Sequence, residues 1–254
     1  MSIMDKINIF TDFESILENP QVIIFDYFKH YEKGKLILYK LHDLPYSNKC
    51  RIWGRAQTND KQPIHDVFSS RIYNPFSLDF NIRQDWIVVD IGAHIGAFSV
   101  MAASKGAQVI AYEPSESNIE LLTRNKIENK TNITINECAI GGKAGTMTLY
   151  TNPDLPTGNT LNHKEGYENS EEVHVRAFKD EMEKILALHG RIDFLKIDCE
   201  GSEYDFYKDI RHLPNIQRIA MEYHKSEVLL TAELQEAGYK TKLGAGNMLY
   251  AWRD

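Results

Sequence analysis

Three short segments of this 254-residue chain gather residue types that could do chemistry. The first is VVDIGAHIG, residues 88–96, an apolar run that ends in Asp90 and then turns through Gly92 and Gly96. A strand that stops at such a turn ahead of a helix lets a ligand approach the backbone closely, because glycine has no Cβ and accepts left-handed angles. The dinucleotide fingerprint, with glycines at its first, third and sixth places, is not met, and Ala93 and His94 stand where a pyrophosphate needs room. No GxxxxGK(S/T) phosphate loop occurs. Glu113 follows about 20 positions after the turn, where doubly wound folds place a carboxylate to accept both hydroxyls of an adenosine ribose. Together Asp90, the two glycines and Glu113 suit a cationic adenosine ligand; as mere helix caps and turns they would need none.

The second segment, DFLKIDCEGSE at 193–203, sets Lys196 inside an apolar strand, where an unpaired ammonium is costly and must reach a carboxylate or the strand end. Asp198, Glu200 and Glu203 then crowd the strand's carboxyl end, which raises some of their pKa values unless a cation or a helix N-terminus offsets them. An acid-rich helix start would explain Glu200 and Glu203 but not Asp198 together with Lys196. The third segment, IAMEYH at 219–224, places Glu222 and His224 at the end of the next strand, at the edge where substrate meets cofactor in this architecture. His224 is a candidate general base, against the commoner structural role of a lone histidine.

The elements that must position these residues follow from periodicity. Short β-branched runs at 86–91, 108–112, 133–140, 192–198 and 216–223 alternate with helical patterns at 96–105, from Ser115 or Ser117 to about 129, at 179–189, 202–210 and 226–237. That alternation predicts βα units around a parallel sheet. The final strands, 239–243 and 248–252, are joined by only Gly244, Ala245, Gly246 and Asn247, which forces an antiparallel pair. Residues 141–176 read as an inserted hairpin carrying a long, functional loop. Residues 1–85 read as an N-terminal extension or cap on a domain spanning 86–254, with a strand pair at 35–41 and 50–54 and a helix at 63–70.

Composition narrows the partners. Hydrophobic residues at 43% and charged residues at 26% fit an ordinary globular chain. Acidic residues outnumber basic ones 36 to 29, a net charge of -7 that disfavours nucleic acid as a partner. Cys50, Cys138 and Cys199 form no disulfide or zinc spacing, so reduced thiols in a cytosol are expected. Asp5 and Lys6 interrupt any leader-like apolar core, and the longest uncharged apolar run, 91–104, falls short of the ~20 residues a membrane span needs. Neither export nor a membrane anchor is expected.

The order DIGAHIG, YEPSESN, NECAIG, DFLKIDCEGSE, MEYH resembles the FkbM family of S-adenosylmethionine-dependent methyltransferases, with DxEGxE after a KID strand as its most specific element. The resemblance spans about residues 64–225, and residues 1–63 carry no motif. It implies an α/β class I methyltransferase fold, a Rossmann-like, mostly parallel seven-stranded sheet with an antiparallel last strand. It also implies that Asp90, Gly92, Ala93 and Gly96 flank the methionine part of the cofactor and that Glu113, with Pro114 beside it, holds the ribose. Cys138 and Ala139 would lie against adenine, and Asp198 would face the cofactor's amino group or the substrate. His94 replaces an asparagine often found in this turn, which leaves open whether it orders the loop or touches substrate.

Family members commonly methylate hydroxyls of sugars and natural products, so the resemblance implies an O-methyltransferase with a small, hydroxyl-bearing, carbohydrate-like acceptor. A hydroxyl must lose a proton, for which His224, Asp198 and Glu200 are the candidates. A magnesium ion held by Asp198, Glu200 and Glu203 could instead lower the hydroxyl pKa, although no ligand spacing here is diagnostic and the metal-free version is preferred. Methylation of nitrogen or of a protein, and a nucleoside-binding module without catalysis, are the competing readings. An NAD-dependent oxidoreductase lacks its third glycine.

Overall fold

A computed structural model of the chain describes residues 11–75, 77–161, 167 and 169–253. Asp5, Lys6 and part of the long loop, 162–166 and 168, lie outside the described residues. The N-terminal segment supplies α1 (Gln21–Tyr27), the antiparallel pair β1 (Leu36–Lys40) and β2 (Arg51–Arg55), and α2 (Lys61–His65), which runs on into a wider π turn over Asp66–Ser70. Then come β3 (Ile87–Ile91), α3 (Ala97–Ser104), β4 (Gln108–Tyr112), α4 (Glu116–Asn129) and β5 (Ile133–Asn136). After the insertion follow α5 (Phe178–His189), β9 (Phe194–Ile197), α6 (Glu203–Phe206), β10 (Arg218–Glu222), α7 (Glu227–Glu236), β11 (Lys240–Leu243) and β12 (Met248–Trp252).

These strands build a seven-stranded sheet in the order β11-β12-β10-β9-β3-β4-β5. β3 pairs in parallel with β4 and β9, and β12 runs antiparallel to both its neighbours. The tight 244–247 connection produces that reversal, as its length dictates. The apolar runs are covered on both faces, and alternation along β3 divides them. Val88 packs with α3, α4 and the N-terminal segment, while Ile87, Val89 and Ile91 pack with α5, α7 and the 206–213 stretch. Phe13, Leu17, Tyr39 and Ile52 thus share one core with the sheet.

The structure corrects three details. The run at 133–140 is not one strand: the Cys138 amide donates back to Asn136 O (3.0 Å), the chain turns, and β6 (Ala139–Gly141) leaves the main sheet. β6 joins β8 (Asn169–Ala177), which pairs with β7 (Gly145–Thr151), so the insertion is a three-stranded sheet in the order β6-β8-β7. The helical pattern at 202–210 yields only the short α6 followed by a 3-10 stretch over Tyr207–His212. No helix among the described residues is long and apolar enough to cross a membrane.

Candidate active site

A cleft opens at the carboxyl ends of β3, β4, β9 and β10, with about 1130 Å³ of empty space counting its mouth. Gly92 (φ 75°) holds a left-handed angle, and a Cβ there would run into the Asp198 carbonyl oxygen, so the β3 turn can lie against β9 only as glycine. Gly96 (φ 86°) also holds a left-handed angle, with the movable end of the Leu122 side chain where its Cβ would stand.

Cross-strand register sets the charge pattern beneath the cleft. Asp90 and Lys196 are direct partners in the β3–β9 ladder, and Lys196 Nζ lies 3.2 Å from Asp90 Oδ1 and 3.6 Å from Asp198 Oδ2. Burial alone would depress the ammonium's pKa, but Asp90 and Asp198 outweigh it and raise it. Nζ also donates to Gly92 O (2.6 Å), tying the glycine turn to the ion pair. Asp90, fully buried, takes a further bond from Ser99 Oγ (2.6 Å). Its carboxylate is spent inside the protein.

Of the residues expected at the site, Gly92, Ala93, Glu113, Pro114, Cys138, Ala139, Asp198 and Glu200 line the cleft. Asp90, Gly96 and His224 are not in its wall. Glu113 is held by three donors: the His94 amide (2.8 Å) on Oε2, and the Ser115 amide (3.1 Å) and Asn118 Nδ2 (3.1 Å) on Oε1. An ionised carboxylate offers about four acceptor positions, so this fixed group still has room for a hydroxyl. Glu113→Ala is expected to weaken S-adenosylmethionine binding by roughly tenfold or more, the loss of one charged hydrogen bond, as read by calorimetry.

Glu203 is fully buried and does not face the cleft. Oε2 accepts from the Gly201 amide (2.9 Å), and Oε1 from the His224 amide (3.0 Å) and Nδ1 (3.1 Å). Burial works against the His224 imidazolium, but the Glu203 bond and the nearby acids overcome it and lift its pKa to about 9. His224 is therefore cationic at neutral pH and spent on Glu203, a geometry that does not suit the expected base. A raised folded pKa stabilises the fold fully below the unfolded value of 6.5 and loses that contribution as pH rises through about 9. Wild-type protein should accordingly exceed His224→Gln in urea resistance at acidic pH, and the gap should close above that range.

The magnesium alternative does not fit this donor set. Asp198 Oδ2 accepts from Tyr73 Oη (2.8 Å), Glu203 points away into the protein, and no group of three potential ligands among the described residues is arranged to hold a metal.

The N-terminal segment and the insertion, read from the sequence as a cap and as the carrier of a functional loop, enter the walls through residues that the sequence did not single out. Tyr73, Pro63 and Val67 enter from one side, and Pro156, Thr157 and Asn159 from the other. Asn59 meets Thr157 through both its amide oxygen and its nitrogen, joining the two sides. Nothing periodic surrounds Tyr73, so only its residue type could have flagged it. Glu222, singled out beside His224 but given no role, lines the cleft with no hydrogen bond to its carboxylate among the described residues. Burial first, then the charge of Asp198, raises its pKa to about 7, against the opposing pull of His224 and Lys196.

Comparison with known proteins places this geometry. The chain is 27% identical to the methyltransferase sdnD of Sordaria araneosa over 62% of its own length and 72% of that protein. It is 25% identical to the 31-O-demethyl-FK506 methyltransferase FkbM of Streptomyces tacrolimicus over 63% and 72%. Among solved structures, a SAM-dependent methyltransferase from Agrobacterium tumefaciens aligns over 89% of this chain and 72% of its own at 11% identity and a TM-score of 0.49, a likeness that adds nothing to the family assignment. The model of the methyltransferase FkbM domain matches residues 90–241, from the carboxylate under the glycine turn into β11, and so takes in the carboxyl ends of β3, β4, β9 and β10. With more than half its length inside that match, the chain belongs to the FkbM family of S-adenosylmethionine-dependent methyltransferases.

Proposed function

We propose that this enzyme methylates a hydroxyl of a small polar acceptor, a sugar or a natural product, and that the acceptor sits between Asp198 and Glu222. The observation that carries the reading is Glu222: a cleft carboxylate without a hydrogen-bond donor among the described residues, whose proton affinity is raised into the neutral range. A hydroxyl acceptor must give up a proton, and a base with pKa near the working pH is the efficient receiver. A neutral amine would need no such group. A relative whose name specifies 31-O methylation points the same way.

The residues fit the cofactor. The glycine turn admits close approach, Glu113 keeps acceptor capacity, and the predominantly acidic wall suits a cation. Bound S-adenosylmethionine supplies a methyl group that is already strongly electrophilic. What remains for the protein is alignment and dryness. Lys196 locks the turn to β9, and Tyr73 holds Asp198 by its hydroxyl, which stays protonated because burial and Asp198 raise its pKa. Glu222 takes the acceptor's proton. Thr157 and Asn159 add hydrogen-bonding groups to the wall, in keeping with a polyhydroxylated acceptor. The net charge of -7 favours small molecules over nucleic acid.

The test offers the enzyme labelled S-adenosylmethionine with a panel of glycans, small phenols, peptides and RNA. Label on a hydroxyl-bearing small molecule is expected. Label confined to peptide or RNA nitrogen would overturn the reading.

A further inference from the structure

Asp60, in the N-terminal segment outside the family match, is fully buried and reaches the β3 turn. It accepts the Arg55 amide (2.8 Å), Nε (2.8 Å) and Nη2 (2.9 Å), and its Oδ1 lies 3.3 Å from His94 Nε2. Burial would lift the Asp60 pKa, but His94 and Arg55 together hold it well below the usual carboxylate range. The His94 Nε2 approach is off the hydrogen-bond direction, so Asp60 faces that edge of the ring without bonding it.

The other face of His94 is unaccounted for. The residue is nine-tenths buried and lines the cleft, its amide is fixed on Glu113, and its Nδ1 has no partner. A buried polar nitrogen left unpaired costs free energy in the free protein, and a ligand group that meets it recovers that cost. The charge inventory says which group. The cleft is lined by Asp66, Glu113, Asp198, Glu200 and Glu222, which favour the cationic parts of an amino-acid-bearing sulfonium and repel its carboxylate. Lys196 cannot answer that carboxylate, because Gly92 O, Asp90 and Asp198 occupy it. Among the described lining side chains, His94 is the other one able to carry positive charge, and it has a free donor position.

We propose that His94 receives the α-carboxylate of the bound cofactor through Nδ1, with Asp60 as the positioning residue that holds the opposite edge of the ring. The inference rests on the cofactor reading above and extends it to a residue of the N-terminal segment. The arrangement sets the ring between two carboxylates, with Nδ1 donating to the cofactor's and Nε2 facing Asp60.

The test compares two probes by calorimetry: S-adenosylhomocysteine, which keeps the carboxylate, and 5′-methylthioadenosine, which lacks the amino-acid end. Asp60→Asn and His94→Ala should each weaken S-adenosylhomocysteine by about tenfold to a hundredfold while methylthioadenosine changes by less than about twofold. A merely structural role would weaken both probes alike, and that result, or unchanged S-adenosylhomocysteine affinity, overturns the proposal. If the buried Asp60→Asn protein does not fold, His94→Ala decides alone, with methylthioadenosine binding reporting an intact turn. Wild-type protein that binds neither probe would overturn the cofactor assignment itself, whereas wild-type binding with indifferent variants removes only His94 and Asp60.

Discussion

Glu222→Gln should lower turnover by about 10² to 10⁴ while leaving S-adenosylmethionine affinity within about twofold, because amide and carboxyl are nearly isosteric and only the carboxylate can take a proton. The sign of the pH dependence follows from the group's required form. A base works deprotonated, so kcat/KM of the wild type should rise with pH through about 7. The groups that set this value surround Glu222 on several elements: Asp198, Glu200 and Lys196 on and after β9, and His224 two residues along its own chain. Tyr73 faces it from the N-terminal segment and stays neutral. In Glu222→Gln the rising limb should vanish and leave a low, flat rate. A variant that keeps both the rate and the limb would pass the role to Asp198, which Tyr73 hydrogen-bonds and Lys196 approaches to 3.6 Å.

Lys196→Met should destabilise the fold by about 3 to 5 kcal/mol, measured by urea unfolding, because it strands the buried Asp90 carboxylate with only Ser99 to bond it. Position decides the magnitude. Lys196 and Asp90 side chains are 4% and 0% exposed, whereas the Arg83–Asp79 pair is more than half exposed on both sides. Breaking that surface pair should cost only about 0 to 1 kcal/mol. Adding Asp90→Asn to Lys196→Met should recover much of the loss, since an amide is cheaper to bury than an unpaired charge. A Lys196→Met protein as stable as the wild type would mean that the pair is not buried as described.

Most of the sheet was legible because its strands are buried on both faces and read as continuous apolar runs between glycine and helical punctuation. The split of 133–140 was not. Cys138, Ala139 and Ile140 are as apolar as a continuing strand, and only the Cys138 amide turning back to Asn136 redirects them. The glycine turn and Glu113 were legible because spacing along one chain encodes them. The ladder pairing that consumes Asp90 on Lys196 depends on which strands become neighbours, although the buried lysine's need for a carboxylate was visible. The same blindness hid the partner of His224. Glu203, read as one of three crowded acids, turns inward and takes the imidazole, which leaves Glu222 as the free carboxylate two residues away. Asp60 and Tyr73 carried no signal, since they come from irregular segments that meet the sheet only through tertiary packing.

A crystal structure with S-adenosylhomocysteine bound tests the central claim most directly. The ribose hydroxyls should lie within hydrogen-bond distance of the Glu113 carboxylate, and the sulfur should face the side of the cleft where Asp198 and Glu222 stand. A ribose bound away from Glu113, or a sulfur turned from Glu222 with the adenosine between them, would contradict it.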